Sequence, residues 1–498
     1  MAGMVGKRNI FNRLNPTTLF GTCLIIAVIL GLVLRLQSFD ILPFDGHAMR
    51  QTDTESVAYN LAFRNHNILY PQNSLMRPVT NENAYFFLEF PAYEYTISLL
   101  YRAFGWHIEL ARLVNLTLYM ISALSIFWFT KKLFNSSGIA FFTAFFYTFA
   151  PGSIFFLGHA IHPDVFAICM YLVSLTTFLL WKEKYKARWL FISLLTLNLS
   201  IATRPFILIG LPAYLFLLWT TKSAYWEYLL YTFSSPMIYG FWKVWQLKFK
   251  SADSSWENWI LGGRDGLFTY EIFVKQLIFK NVIGEVMGKI TSFFAALGLV
   301  NYLFKRDKKL SFVLMWLLFI PIYWLIVPNG NIIHQYYADV YIIPVVMLAG
   351  YGLWHLLRYL WSKNEFVGFA AAFLVVLFTI YNGYHTSSYY FLDVISDNQQ
   401  QIAKEIQKAL PESAKIVYLA KDNSIPFSVY HRKGWMLGYY PLDVDSTAKS
   451  VLSMKSFGAD YVVAGINNTD LAPEEFNILV KNVDLFYSSE YIQVYKYR

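Results

Sequence analysis

Long uncharged apolar runs alternate along the chain with short charged connections, and most of the runs approach the roughly 20 residues that a helix needs to cross a bilayer. The first extends from Thr17 to about Leu36, behind Lys7, Arg8 and Arg13. The next, Glu109–Thr130, ends on Lys131 and Lys132. Gly138–Leu157 leads into the turn His159–Asp164, and Pro163–Trp181 runs to the basic group Lys182, Lys184, Lys186 and Arg188. Trp189–Ala202, Phe206–Trp219, Trp226–Val244 and Glu285–Phe304 continue the series, the last of them meeting Lys305, Arg306, Lys308 and Lys309. Ser311–Val327, Tyr337–Leu357 and Phe366–Tyr384 complete an expected eleven spans. The prominent basic clusters in short loops all fall on one side, which orients the chain with its N-terminus in the cytoplasm. The first run has charged flanks but no small-residue cleavage site, so it reads as an uncleaved anchor.

Two regions break this rhythm. The first outer connection, residues 37–108, is too polar to span, yet it contains amphipathic pieces at Thr54–Phe63 and Tyr93–Phe104, of the kind that lie along a membrane surface. A second outer loop is expected over residues 246–283. The tail changes period altogether. Gln399–Leu410, Ser446–Phe457 and Pro473–Val480 read as helices, and Lys415–Ala420, Tyr461–Gly465 and Tyr491–Tyr497 as strands. That alternation predicts a small α/β domain outside the membrane. The expected division is a transmembrane module over residues 1–385 and an extracytoplasmic domain over 386–498.

Composition agrees with the pattern. Of 498 residues, 56% are hydrophobic, 19% aromatic and only 15% charged, against about 25% charged in soluble proteins. A water-soluble enzyme, a disordered chain and a collagen-like chain are excluded. The net charge of +9 resides largely in the loop clusters that set orientation, so it does not imply a nucleic-acid partner. Cys23 and Cys169 both lie in apolar runs and form no zinc or redox motif.

Candidate chemistry collects at the outer ends of the spans. Asp45, His47, Arg50, Gln51, Asp53, Thr54 and Glu55 open the first outer loop. A carboxylate there could serve as general base with Arg50 beside it to attract an anion, or the group could simply cap a helix. Glu89 stands between Leu88 and Phe90 ahead of Pro91, where it either acts chemically or caps the helix that follows. His159, His162 and Asp164 could orient a loop or a substrate hydroxyl, and a divalent metal there would need a further protein ligand. Arg204, before Pro205, could pair with a lipid phosphate or snorkel to the interface, and Arg264 is a weaker candidate of the same kind. Asn331–Tyr337 adds His334, Tyr336 and Tyr337 as hydrogen-bonding groups. A transporter would place such groups near the midplane in symmetry-related halves, and no such repeat is visible.

Arg50-Gln51-Thr52-Asp53-Thr54, just after the first span, resembles the Trp-Arg-Gln-x-Asp-Thr pattern of bacterial protein-mannosyltransferase-like glycosyltransferases of the GT-C superfamily, relatives of the lipid A aminoarabinose transferase. Glu89–Pro91, His162–Asp164, Asn331–Tyr337 and the tail's Arg432-Lys433-Gly434-Trp435 are similar to further motifs of the family and occur in the same order. The resemblance implies a multi-span transferase that takes a single sugar from a polyprenyl-phosphate donor at the outer face of a bacterial cytoplasmic membrane. It implies no required cofactor and no metal. Asp53, Glu89 and Asp164 match the family's catalytic acids. Arg50, Arg204, Arg264, Tyr336 and Tyr337 are expected to hold the donor phosphate, and His162, His334 and Glu55 to contact substrate. Thr54 separates Asp53 from Glu55, where eukaryotic protein mannosyltransferases have a consecutive Asp-Glu pair. That departure favours a bacterial glycan or lipid acceptor over a protein hydroxyl. A lipid-linked sugar flippase and an oligosaccharyltransferase or ligase that moves whole glycans are the alternative functions.

Overall fold

The computed structural model describes residues 16–75, 85–249, 272–392, 397–419, 431–436, 448–465 and 472–498. Helix α1 (Pro16–Arg35) is followed in the long first connection by α2 (Ala48–Phe63) and α3 (Ala92–Phe104), then by α4 (Ile108–Phe134), α5 (Ser137–Phe149), α6 (Pro151–Phe155), α7 (Pro163–Lys184) and α8 (Ala187–Thr203). Five described helices are long and apolar enough to cross a membrane, or six if the bent pair around Gly288 counts as one. The other expected spans correspond to shorter helices. Pro151, Pro236 and Pro321 follow breaks in three of them, because proline supplies no amide hydrogen and clashes with the preceding turn. The run at Phe206 begins as a tight 3-10 turn, Pro205–Gly210, before the helix Leu211–Thr220.

The helices pack as expected of a bundle in lipid. Apolar side chains face outward along α1, where Ile25, Ile29 and Val33 are exposed, and along Glu365–Leu392, where Phe369, Phe373 and Leu377 are exposed. Contact between helices then depends on shape rather than on escape from water. Gly298 and Gly352 show this directly. A Cβ on Gly298 would collide with the Leu348 carbonyl oxygen, and one on Gly352 with the Phe294 carbonyl oxygen. Only glycine permits that backbone approach between Lys289–Lys305 and Ile342–Lys363.

Arg35 fixes the C-terminal end of α1. Its guanidinium is fully buried over the Tyr119 ring, 3.6 Å from the centroid. It donates to the carbonyls of Gly31, Thr148 and Ser153 at 2.8, 2.9 and 3.0 Å. Thr148 belongs to α5 and Ser153 to α6, so one side chain ties the two helices together across their break, and the Arg35 carbonyl meets His159 Nδ1 at 3.3 Å in the turn that follows.

The tail forms a five-stranded sheet from β1 (Lys415–Leu419), β2 (Lys433–Met436), β3 (Tyr461–Gly465), β4 (Val483–Ser488) and β5 (Ile492–Tyr497), in the order β2-β1-β3-β5-β4. β1 runs parallel to β2 and β3, and β5 antiparallel to β3 and β4. Period-two alternation sends Ile416 and Tyr418 into a core with Ile402 and Ile406, and Val417 and Leu419 into a core with Trp435, Val451 and Leu479. The three strands expected from sequence are the central ones. The two edges, β2 and β4, were not expected. The helix expected to end at Tyr384 runs on through His385 to Leu392.

Candidate functional site

The long connection after α1 is attached to the bundle by polar groups before it offers any to a ligand. His47 adopts a left-handed conformation (φ 57°), which turns the chain into α2. Gln51 then donates to the Gly46 carbonyl at 2.9 Å and accepts from the Ile161 amide at 2.9 Å. Asp45, fully enclosed, meets the His159 imidazole at 2.7 Å and the Arg112 guanidinium at 3.7 Å. Burial pushes the Asp45 carboxyl up, but His159 and Arg112 outweigh it and hold the group below its ordinary range. Asp45, Gln51 and His159 are therefore clasps between α2, α4 and the turn before α7.

A chain of four charges lies beside them. Arg50, on α2, donates to Glu89 Oε2 at 2.9 Å. Glu89 Oε1 accepts from Arg204, whose other terminal nitrogen donates to Asp164 Oδ2 at the start of α7. Proline positions three of these groups. Pro91 starts α3 beside Glu89, Pro163 starts α7 beside Asp164, and Pro205 stops α8 at Arg204. Burial raises the Glu89 carboxyl, yet Arg50 and Arg204 together bring it below the usual carboxylate range. For Arg204, burial is outweighed by Asp164 and then Glu89, and its guanidinium is held more firmly charged than usual. Two cations and two anions thus neutralise one another. The Nε atoms of Arg50 and Arg204 have no partner among the described residues.

An aromatic wall closes one side of this chain. Arg204 lies 5.8 Å from the Tyr336 ring centroid. Tyr336 in turn is surrounded by His162, His47 and His334, at ring distances of 4.6, 5.1 and 5.2 Å. Tyr337 packs on Phe206 at 5.2 Å and against Gly330, where a Cβ would not fit. Burial depresses His162 to about 4 and His334 to about 3, so both are neutral near pH 7. His162 Nδ1 stands 3.7 Å from Asp164. His159, which faces Asp45, does not join His162 on a common ion, and no group of three His, Cys, Asp or Glu among the described residues is placed to hold a metal.

Of the residues singled out from sequence, Arg50, Glu89, Asp164, Arg204, Tyr336, His162, His334 and Tyr337 therefore come together. Asp53 lies one turn beyond Arg50 on α2, half-buried, and accepts from Asn73 Nδ2 at 2.7 Å. Glu55 joins none of them. It is fully buried, accepting from Trp106 Nε1 at 2.7 Å and meeting His431 Nε2 at 3.2 Å. His431 stacks on Tyr59 at 3.7 Å, and the Gly434 amide donates to the Ser74 carbonyl at 3.0 Å. Glu55 is thus a joint between α2 and the tail. Its replacement by alanine should lower unfolding stability by about 1–3 kcal/mol, the cost of leaving buried donors unsatisfied. Thermal unfolding and limited proteolysis of the tail would register that loosening. Arg264 lies outside the described residues.

Sequence reasoning passed over Arg112, Glu94 and Asp339. Arg112 carried a signal, since a charge one turn inside an apolar span is rarely idle. Glu94 looked like part of the polar face of α3, yet it is 6% exposed. Asp339, two residues past Tyr337, is fully buried with neither oxygen partnered among the described residues.

Comparison with known proteins follows the same outline. Residues 89–242 match the family described as dolichyl-phosphate-mannose-protein mannosyltransferase. The matched stretch begins on Glu89 and contains Asp164 and Arg204. No curated protein matches the sequence. Among solved structures, ArnT from Cupriavidus metallidurans, bound to undecaprenyl phosphate, is 11% identical with a TM-score of 0.65 over 95% of this chain and 98% of that one. The archaeal oligosaccharyltransferase AglB from Archaeoglobus fulgidus, in complex with an inhibitory peptide and a dolichol-phosphate, is 12% identical with a TM-score of 0.57 over 92% of this chain and 70% of that one. The arabinofuranosyltransferase AftD from Mycobacteria is 13% identical with a TM-score of 0.58 over 96% of this chain and 40% of that one. At these identities the likeness is one of fold.

Proposed function

We propose that this chain, which resembles protein-mannosyltransferase-type GT-C glycosyltransferases in both motif order and fold, transfers a single sugar from a polyprenyl-phosphate donor to an acceptor hydroxyl. The observation that carries this reading is the buried pair Arg50 and Arg204, side by side through Glu89, each with an uncommitted nitrogen. Guanidinium groups suit phosphate because their planar forks match its oxygens. Structural relatives solved with undecaprenyl phosphate and dolichol-phosphate support a lipid phosphate as the ligand.

In this mechanism the acceptor O–H gives its proton to Asp53 as its oxygen forms a bond to the anomeric carbon. The bond from that carbon to the phosphate oxygen breaks, and the electron pair leaves with polyprenyl phosphate. Attack from the face opposite the leaving group inverts the anomeric centre. Polyprenyl phosphate departs as a stable anion, so neither a general acid nor a metal is needed. Arg204 and Arg50 stabilise its growing charge, Tyr336 and Tyr337 complete that wall, and His162 and His334 contact the sugar. Such preorganised stabilisation is commonly the largest contribution to a rate. The reading includes the eleven-span topology in a bacterial cytoplasmic membrane, with the tail domain outside and the acceptor a glycan or lipid.

Purified protein incubated with a panel of polyprenyl-phosphate sugars and envelope glycolipids tests this. Release of polyprenyl phosphate from one donor, dependent on an acceptor, is the expected result. Movement of intact lipid-sugar across a vesicle without bond cleavage would replace this reading with a flippase.

A further inference from the structure

One ionisable group at the site has no part in the reaction just described. Glu94 lies in the first turn of α3, one turn past the Glu89–Pro91 element. It is almost fully enclosed, and its Oε2 has no partner among the described residues. A buried carboxyl beside two arginines would ordinarily take one of them as a partner. Here Arg50 and Arg204 are already bridged by Glu89, and Asp164 takes the remaining terminal nitrogen of Arg204.

The surroundings of Glu94 are those of the site itself. From α2 it feels Arg50, from the turn before α3 Glu89, and from the end of α8 Arg204. Asp164 of α7 and Arg112 of α4 act on its chain neighbour Tyr93. Burial, offset by Arg50 and reinforced by Glu89, raises the Glu94 carboxyl to about 7. Glu94 is thus pushed toward its neutral form while Glu89 is pushed toward its charged one.

Charge balance gives that proton a purpose. With Glu94 ionised, Arg50, Arg204, Glu89, Asp164 and Glu94 carry a net charge of −1. With Glu94 protonated, they carry none. A phosphodiester adds one negative charge on arrival, and cleavage leaves a phosphomonoester with up to two. We propose that Glu94 takes up a proton when a lipid phosphate binds, so that occupation of the arginine pair is coupled to protonation of this side chain. Uptake occurs at one carboxylate oxygen, from solvent, with no bond made or broken in the ligand. The inference rests on the arginine pair being the lipid-phosphate site.

The test uses full-length protein in lipid nanodiscs and the methyl phosphodiester of undecaprenol, which has one charge at every relevant pH and no sugar to transfer. Stability of the complex that depends on a protonated acid is full below the acid's own range and is lost as pH rises through it. Affinity in the wild type should therefore weaken about tenfold between pH 6 and pH 8. In Glu94→Gln the profile should flatten. The histidines around Tyr336 remain in that variant, so the difference isolates Glu94. Titration calorimetry of the wild type in two buffers of unlike ionisation enthalpy provides a check independent of any variant, with uptake of about three quarters of a proton per ligand near pH 7.5. Binding with equal pH slopes in both proteins, or without proton uptake, overturns the coupling and leaves the proposed function standing. Absence of binding at every pH overturns the lipid-phosphate site and the coupling with it.

Discussion

Replacing Arg204 by alanine is expected to reduce turnover by about 10²–10³-fold, the loss typical when one preorganised stabiliser of a developing anion is removed. The effect should appear in kcat as well as KM, because charge on the leaving phosphate grows between ground state and transition state. The same side chain also holds the site together. Asp164 would lose its guanidinium partner while remaining buried, and breaking a buried pair in this way costs about 3–5 kcal/mol. A fall in the thermal midpoint should therefore accompany the fall in turnover. Arg204→Lys separates the two effects. Lysine keeps the positive charge, but a single ammonium cannot span Glu89 and Asp164 as the fork does. It should recover much of the stability and little of the activity. Wild-type turnover in either variant would remove Arg204 from the mechanism.

The second large effect concerns Asp53. Asparagine at this position cannot accept a proton, and loss of a general base costs about 10²–10⁴-fold. The fold should tolerate the change. Asn73 donates to Asp53 through its amide nitrogen at 2.7 Å, and an asparagine carbonyl can also accept that bond, more weakly than a carboxylate does. Asp53→Asn is thus expected to melt with the wild type, bind donor lipid normally and turn over slowly. Retention of more than about a tenth of wild-type turnover would move the base elsewhere. Asp53 lies one helical turn from Arg50 on α2.

Much of this architecture was legible in the sequence because a membrane simplifies the code. Apolar runs marked the helices, and proline marked where Glu89, Asp164 and Arg204 would sit. The breaks within expected spans were harder to read. In the run Ser311–Val327 the one cue was Pro321, and the structure shows two short helices, Ser311–Leu317 and Ile320–Ile326. Edge strands β2 and β4 escaped notice because their side chains alternate weakly. In the site, sequence order brought forward most of the residues that converge, but it could not assign their partners. Glu55 and Glu94 are both acids in amphipathic helices between α1 and α4. One meets His431 from the far end of the chain, and the other has an oxygen without a partner, a distinction that arises only from tertiary contact.

The most direct measurement is the structure of the product. Purified protein, a polyprenyl-phosphate sugar labelled at the anomeric carbon and an acceptor glycolipid would be combined and followed by NMR. The expected product contains one added sugar whose anomeric configuration is opposite to that of the donor, formed in step with free polyprenyl phosphate. A product with retained configuration, or one that has gained a whole glycan, would contradict single-sugar inverting transfer at this site.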